Sequence, residues 1–170
     1  WAYGYSYFYF DVSEFIIQGE NTLADQLSNK AFASRWYPGA GLYRKVSVII
    51  KNNESINQWG TFITTPIVSN GIAKVNIKTK VTSGENSQIV TTIFDADGKK
   101  INSDKSIIKF GDEYEQNIKV HNPNLWNTET PYWYTAVTQL FVDNQLKDET
   151  TTRFGIRDVK YEAGKGLVLN

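Results

Sequence analysis

Ile72-Ala73-Lys74-Val75-Asn76-Ile77-Lys78-Thr79-Lys80-Val81 decides the fold class. Ala73, Val75, Ile77, Thr79 and Val81 alternate with Lys74, Asn76, Lys78 and Lys80, so every second side chain is available to a core and the others to water. A period of two belongs to a strand with one wet face, because successive side chains on a pleated backbone point to opposite sides. A helix needs apolar residues three or four apart, and no stretch of this chain sustains that spacing for the length of an ordinary helix.

Outward from that segment, β-branched and aromatic residues alternate with polar ones over residues 61–68, 87–95, 99–109, 113–120, 132–142 and 146–156. Ser83-Gly84, Asp97-Gly98, Gly111-Asp112 and Asp143-Asn144 supply turn chemistry between them. The seven short strands with regular turns predict an all-β chain whose main body is an immunoglobulin-like β-sandwich. Cysteine is absent, so this sandwich has no inter-sheet disulfide and relies on packing. Trp126, Tyr134, Leu140 and Ile118 are the expected core.

Of 170 residues, 41% are hydrophobic and 14% aromatic, enough for one good core and part of a second. Formal net charge is zero, which leaves no electrostatic footprint for nucleic acid or an anionic membrane. No apolar run approaches the ~20 residues of a membrane-spanning helix. The lack of cysteine removes disulfides, thiol catalysis and zinc-thiolate sites together. The chain opens at Trp1 and contains no methionine, as expected of a fragment or a processed product, and composition leaves its compartment open.

Residues 1–51 read differently. They are dense in aromatics, with a strand end expected at Phe10-Asp11-Val12-Ser13 and strands near 22–28 and 46–50. Between these lies Ser34-Arg35-Trp36-Tyr37-Pro38-Gly39-Ala40-Gly41-Leu42-Tyr43-Arg44. Pro38 fixes its own φ and biases Tyr37 toward extended backbone, while Gly39 and Gly41 permit angles or close approaches that a side chain forbids. The stretch is built to hold a shape, as a packed loop at a domain seam or as a ligand-contacting loop on a β scaffold. Lys51-Asn52-Asn53-Glu54-Ser55 reads as the linker to the sandwich.

Arg35 to Arg44, followed by Lys45-Val46, resembles a signature of glycoside hydrolase family 2, which comprises β-galactosidases, β-glucuronidases and β-mannosidases. Gly4-Tyr5-Ser6, Phe10-Asp11-Val12 and Gly19-Glu20-Asn21-Thr22-Leu23 look like the end of that family's sugar-binding jelly roll. Gly60-Thr61-Phe62-Ile63-Thr64-Thr65-Pro66, Asn122-Pro123-Asn124-Leu125-Trp126, Pro131-Tyr132-Trp133-Tyr134 and Arg153-Phe154-Gly155-Ile156-Arg157 follow in the order of its immunoglobulin-like domain. The resemblance covers nearly the whole chain and is closest to the β-galactosidase branch. It implies that 1–51 is the C-terminal part of the jelly-roll domain, 52–157 the immunoglobulin-like domain, and 158–170 the lead-in to a catalytic (β/α)8 barrel. One departure is Asp25 in Ala24-Asp25-Gln26-Leu27, where the family usually alternates to an apolar residue.

Members of the family are retaining glycosidases, which set two carboxylates about 5 to 5.5 Å apart across the scissile bond. Both belong to a barrel of about 250 residues, for which this chain has no room. The resemblance therefore implies a non-catalytic accessory region of an exo-β-glycosidase, most of all a β-galactosidase, inactive by itself. Its implied partners are the catalytic barrel of its own parent chain and, through the parent, a carbohydrate substrate. No cofactor, nucleic acid or membrane partner is implied, and a polysaccharide-degrading parent favours a periplasmic or secreted location. Jelly-roll loops in the family reach toward the barrel mouth, which makes Asn29, Arg35 and Trp36 the substrate-binding candidates. Arg35 would donate hydrogen bonds to sugar hydroxyls and Trp36 would pack on an apolar sugar face. Alternatively, Arg35 pairs with a barrel carboxylate and Trp36 packs at a domain seam. A stand-alone carbohydrate-binding or adhesion module, with Trp1, Tyr3 and Trp36 as its platform, and a β-glucuronidase or β-mannosidase parent are the competing readings.

Three other groups invite chemistry and are read structurally. Asn53-Glu54 mimics the Asn-Glu acid/base pair of these enzymes, yet it precedes the sandwich motifs and reads as linker. Asp95-Ala96-Asp97-Gly98 opens like a calcium loop but lacks the third acidic position and the distal glutamate, so a hairpin turn is expected. His121 is the sole histidine and has no triad or metal pattern around it, which leaves it a structural role beside Pro123. No catalytic residue and no metal site are expected within the chain.

Overall fold

The computed structural model describes residues 6–28, 41–82, 86–108 and 112–170. The chain divides into two compact units, Trp1–Val48 and Ile49–Asn170. In the second unit the period-two segments become strands β1 (Ile56–Ser69), β2 (Ile72–Val81), β3 (Ser87–Phe94), β4 (Lys100–Ile108), β5 (Glu113–His121), β6 (Tyr134–Val142) and β7 (Gln145–Phe154). A hairpin of β8 (Val159–Glu162) and β9 (Gly166–Leu169) follows. The main strands form a three-stranded sheet in the order β1-β2-β5 and a four-stranded sheet in the order β4-β3-β6-β7, antiparallel throughout. This is the immunoglobulin-like sandwich, with the fourth strand paired to the third rather than joined to the first sheet.

Turn chemistry explains several connections. Asn70-Gly71 and Asp143-Asn144 are two-residue turns with left-handed backbone at both positions, φ 51° and 70° in the first and 49° and 62° in the second. That twist matches the twist of the flanking strands. Asp95 Oδ1 accepts from the backbone N–H of Asp97 and of Lys99 at 3.0 and 2.8 Å, closing the β3–β4 turn as expected. The Ser83-Gly84 turn and Gly111 lie outside the described residues.

Every second residue of β3, β5 and β6 is buried, and the core between the sheets forms two apolar clusters. One gathers Ala73, Val75, Ile77, Ile93, Ile118, Val120, Tyr134, Ala136, Phe154 and Ile156. The other holds Ile56, Val81, Ile89, Tyr114, Leu140 and Val142. Between them, four strands each turn one polar side chain inward, namely Thr79, Thr91, Gln116 and Thr138, none more than 1% exposed. Thr91 Oγ1 donates to Gln116 Oε1 at 2.6 Å and lies 3.2 Å from Thr138 Oγ1, while Gln116 Nε2 donates to the Asp104 carbonyl at 3.0 Å. The bonds among Thr91, Gln116 and Thr138 rigidify the core there and favour one arrangement of its strands.

Two expectations are corrected. Tyr134, Leu140 and Ile118 are buried, but Trp126 is half-buried, belongs to neither core cluster and packs at one end of the sandwich. In the first unit, the described residues form a single 3-10 turn, Ser13–Phe15, and the strands expected at 10–13, 22–28 and 46–50 do not form. A strand exists only against a hydrogen-bonded neighbour, and no described segment pairs with these residues. Asn21 folds its segment locally instead, accepting from the Ile17 N–H and donating to the Ile17 and Gly19 carbonyls.

Candidate functional site

Asn29, Arg35 and Trp36, the substrate-binding candidates, lie outside the described residues, as do Trp1 and Tyr3 of the alternative platform. On the C-terminal flank of that loop, the Arg44 guanidinium stands 4.9 Å from the Tyr7 ring centre and 5.4 Å from that of Tyr43. Such a cation held over aromatic faces is further stabilised by hydrogen bonding to Tyr43, which pushes the arginine pKa up.

In the second unit, acidic side chains are engaged in turns, strand ladders and ion pairs. Asp148 accepts from the Ile56 N–H at 2.9 Å and pairs with Lys51 at 3.3 Å. Glu113 lies between Lys78 and Lys80, Glu115 accepts from Asn76, Glu149 from Gln139, and Glu162 pairs with Lys165. Asp158 pairs with Lys160. Glu54, the acid/base mimic, sits 3.9 Å from Lys147 in an open polar groove that they line with Lys51, Asn52 and Asn53. The ties between this segment and the β6–β7 turn fit a structural role. His121 ends β5 opposite Ile72, and the next residue, Asn122, donates its N–H to the Gly71 carbonyl. Among the described residues no cluster of three metal-binding side chains occurs, and no helix is long and apolar enough to cross a membrane.

The most constructed feature of the surface lies at the opposite end of the sandwich, where the chain leaves β7. The Trp126 backbone N–H donates to the Ile156 carbonyl at 2.8 Å, and the base of the Trp126 side chain packs against Gly155. A Cβ at Gly155 would stand 2.8 Å from Trp126 Cβ and 2.9 Å from its Cγ and Cδ1, so only glycine fits. Arg157 stands over the indole with its Cζ 5.1 Å from the ring centre, and Trp133 meets it edge-on at 6.5 Å. The indole Nε1 is buried without an acceptor.

This cluster fixes the β8–β9 hairpin. Asn170 Nδ2 donates to the Trp126 carbonyl at 3.0 Å, its Oδ1 accepts from the Asp158 N–H at 3.0 Å, and its N–H donates to the Asp158 carbonyl at 2.8 Å. Thr65 Oγ1 adds a bond to the Arg157 carbonyl at 3.0 Å. The register pairs Val159 with Leu169 and Tyr161 with Leu167, so all four side chains share one face. Tyr161 is 84% exposed and Leu167 71%. The sequence motifs contain Gly155 and Trp126, but the Asn170 clasp was missed because an asparagine at a strand end carries no signal of its distant partners.

A sequence profile described as Glycosyl hydrolases family 2 matches residues 55–157. The chain is 33% identical to the β-galactosidase BoGH2A of Bacteroides ovatus over 99% of its own length and 21% of that protein. It thus spans about a fifth of the length of that curated relative. Among solved structures, a glycosyl hydrolase family 2 member from Bacteroides cellulosilyticus superimposes on 70% of this chain and 18% of its own, with a TM-score of 0.66 and 25% identity. The β-glucuronidase of Ruminococcus gnavus in complex with uronic isofagomine matches 69% of this chain and 17% of its own, with a TM-score of 0.57 and 25% identity.

Proposed function

Since the chain belongs to glycosyl hydrolases family 2, we propose that it is a non-catalytic accessory region of a retaining exo-β-glycosidase, with a β-galactosidase as the first choice of parent. The observation that carries this reading is the β8–β9 hairpin, an apolar face clasped to the end of the sandwich by Asn170, Asp158 and Trp126. Such a face suits a rigid abutment for a following domain, which in this family is the catalytic barrel. On the same reading, 1–51 is the end of a jelly roll whose bare apolar side chains are covered by the rest of that domain. Residues 158–170 lead into the barrel. Hydrolysis in the parent proceeds with retention through a glycosyl-enzyme intermediate, the acid/base and nucleophilic carboxylates being supplied by the barrel.

The preference for β-galactosides rests on the 33% identity to the B. ovatus enzyme. The likeness to the R. gnavus β-glucuronidase is the reason to test both substrates. With nitrophenyl β-galactoside and β-glucuronide, the full-length parent should turn over the first, and the 170-residue chain neither. Turnover by the isolated chain that Glu54→Gln abolishes would overturn the reading. Asn29, Arg35 and Trp36 are proposed at the edge of the sugar subsite. Loss of one charged donor there costs about 1.5–3 kcal/mol, so Arg35→Ala in the parent should lower kcat/KM roughly tenfold to hundredfold at unchanged Tm. A joint fall of activity and Tm would make Arg35 a seam brace.

A further inference from the structure

Strand β1 loses its pairing with β2 between Ile56↔Val81 and Thr61↔Thr79. Asn57, Gln58, Trp59 and Gly60 therefore oppose Lys80 alone, where an ordinary bulge sets two residues against one. The excess chain is tightly folded. A Cβ at Gly60 would lie 2.8 Å from the backbone oxygens of Asn57 and Lys80, and 3.0 Å from Asn57 Cβ. Asn57, Gly60 and Lys80 thus share one neighbourhood, and the next register pair, Thr61 and Thr79, adjoins it.

Three side-chain oxygens in this neighbourhood, Asn57 Oδ1, Thr61 Oγ1 and Thr79 Oγ1, are buried and have no hydrogen-bonding partner in the protein. The large majority of buried side-chain polar atoms in native proteins have a partner in the protein or in ordered water, which makes three orphans around one bulge a pattern to explain. We propose that the bulge is an internal binding site for a single water molecule that joins these three groups. The amide oxygen can only accept, while each hydroxyl both donates and accepts. Water gives one proton to Asn57 Oδ1 and the other to one threonine, and accepts from the second threonine. That makes three bonds, the usual number for a buried water. A hard divalent cation fits poorly, because it demands six or more oxygen ligands, and this neighbourhood offers no carboxylate among its orphaned groups. The bound water extends the polar belt of Thr91, Gln116 and Thr138 toward the β1 edge, so that Thr79 joins it with its hydroxyl satisfied. This inference does not depend on the glycosidase reading.

A crystal structure of the 170-residue chain that orders buried solvent tests the site directly. One water within about 2.7–3.2 Å of all three oxygens is expected. Thr79→Val preserves the shape and deletes the hydroxyl; it should abolish that water and lower Tm by roughly 2–4 °C. Thr79→Ser should keep the water and decides the question if the valine variant does not fold. A dry bulge in the wild type, direct pairing of the Thr61 and Thr79 hydroxyls, or a Tm that rises in Thr79→Val would each overturn the proposal.

Discussion

A single methyl group at Gly155 would collide with Trp126, since its carbon would fall within 2.9 Å of three atoms of that side chain. Gly155→Ala should therefore cost about 1–3 kcal/mol, the usual penalty of overpacking, read as a lower denaturation midpoint with altered tryptophan emission. Sequence pattern marked both residues but misplaced one. Trp126 is large and apolar enough to suggest the core, whereas its position is set by its backbone bond to Ile156, by its contact with Gly155 and by Arg157. Tyr134 shows the reverse: it is buried as expected, and its hydroxyl accepts the Asn124 N–H at 2.9 Å. Tyr134→Phe removes that bond to an exposed residue and should cost about 0.5–1.5 kcal/mol, measurable in the same denaturation assay. Burial is the main cause that raises the pKa of both Tyr114 and Tyr134 above the ordinary 10.0, against the lowering effect of their hydrogen bonds to Ser87 and Asn124. The sign follows from linkage. Below pH 10 both states keep the phenolic protons and nothing changes; as pH rises above it, the unfolded chain ionises first and stability is lost. Tm against pH should bend downward above about pH 10, and less so after substitution of both tyrosines by phenylalanine.

At the scale of elements, alternation located the seven main strands, most sharply β2, β3, β5 and β6, where inward and outward side chains take turns along the chain. It failed where another rule governed. Strand β1 starts at Ile56 rather than near 61, because Asn57-Gln58-Trp59-Gly60 spends four residues on a bulge and breaks the pattern. Gln116 was illegible for a related reason: Glu115-Gln116-Asn117 reads as three solvent residues, yet the middle one is buried and bonded within the polar belt. In the first unit the local β pattern at 22–28 and 46–50 was present without a pairing partner among the described residues, and pairing is not a local property. The Gly60 cradle gives a prediction at this scale. A Cβ there meets backbone oxygens that have no rotamer to escape through, so Gly60→Ala should cost about 1–3 kcal/mol and weaken hydrogen-exchange protection in β1 and β2 before the other strands. The outer face of the first sheet should behave oppositely. Lys80 and Glu113 are exposed and 3.6 Å apart, and Lys80→Ala should change stability by no more than about 1 kcal/mol in the same assay.

At the scale of the whole molecule, the two units differ in what they bury. The sandwich has two continuous cores, while Phe15 is 77% exposed and Val48 71% in the first unit. The segment 49–170 should unfold in one cooperative transition by itself. The 170-residue chain should bind a hydrophobic dye that 49–170 binds much less, and equal binding by the two would contradict the division. The loop that carries the candidates Arg35 and Trp36 gave sequence its sharpest family signal, but residues 29–40 lie outside those described, so a role in substrate binding stays a proposal to be tested in the parent enzyme. The path of the chain through the sandwich has a further consequence. It joins beside the β6–β7 turn, where Asn52 bonds Lys147 and the Ile56 N–H bonds Asp148, and leaves at the far pole, where Arg157 is bonded by Thr65. Those points are separated by about the length of β2, roughly 30 Å for its ten residues. The sandwich is therefore a ruler. One residue inserted within a strand reverses the inward and outward facing of every side chain beyond it, whereas two residues restore the alternation and add about 7 Å.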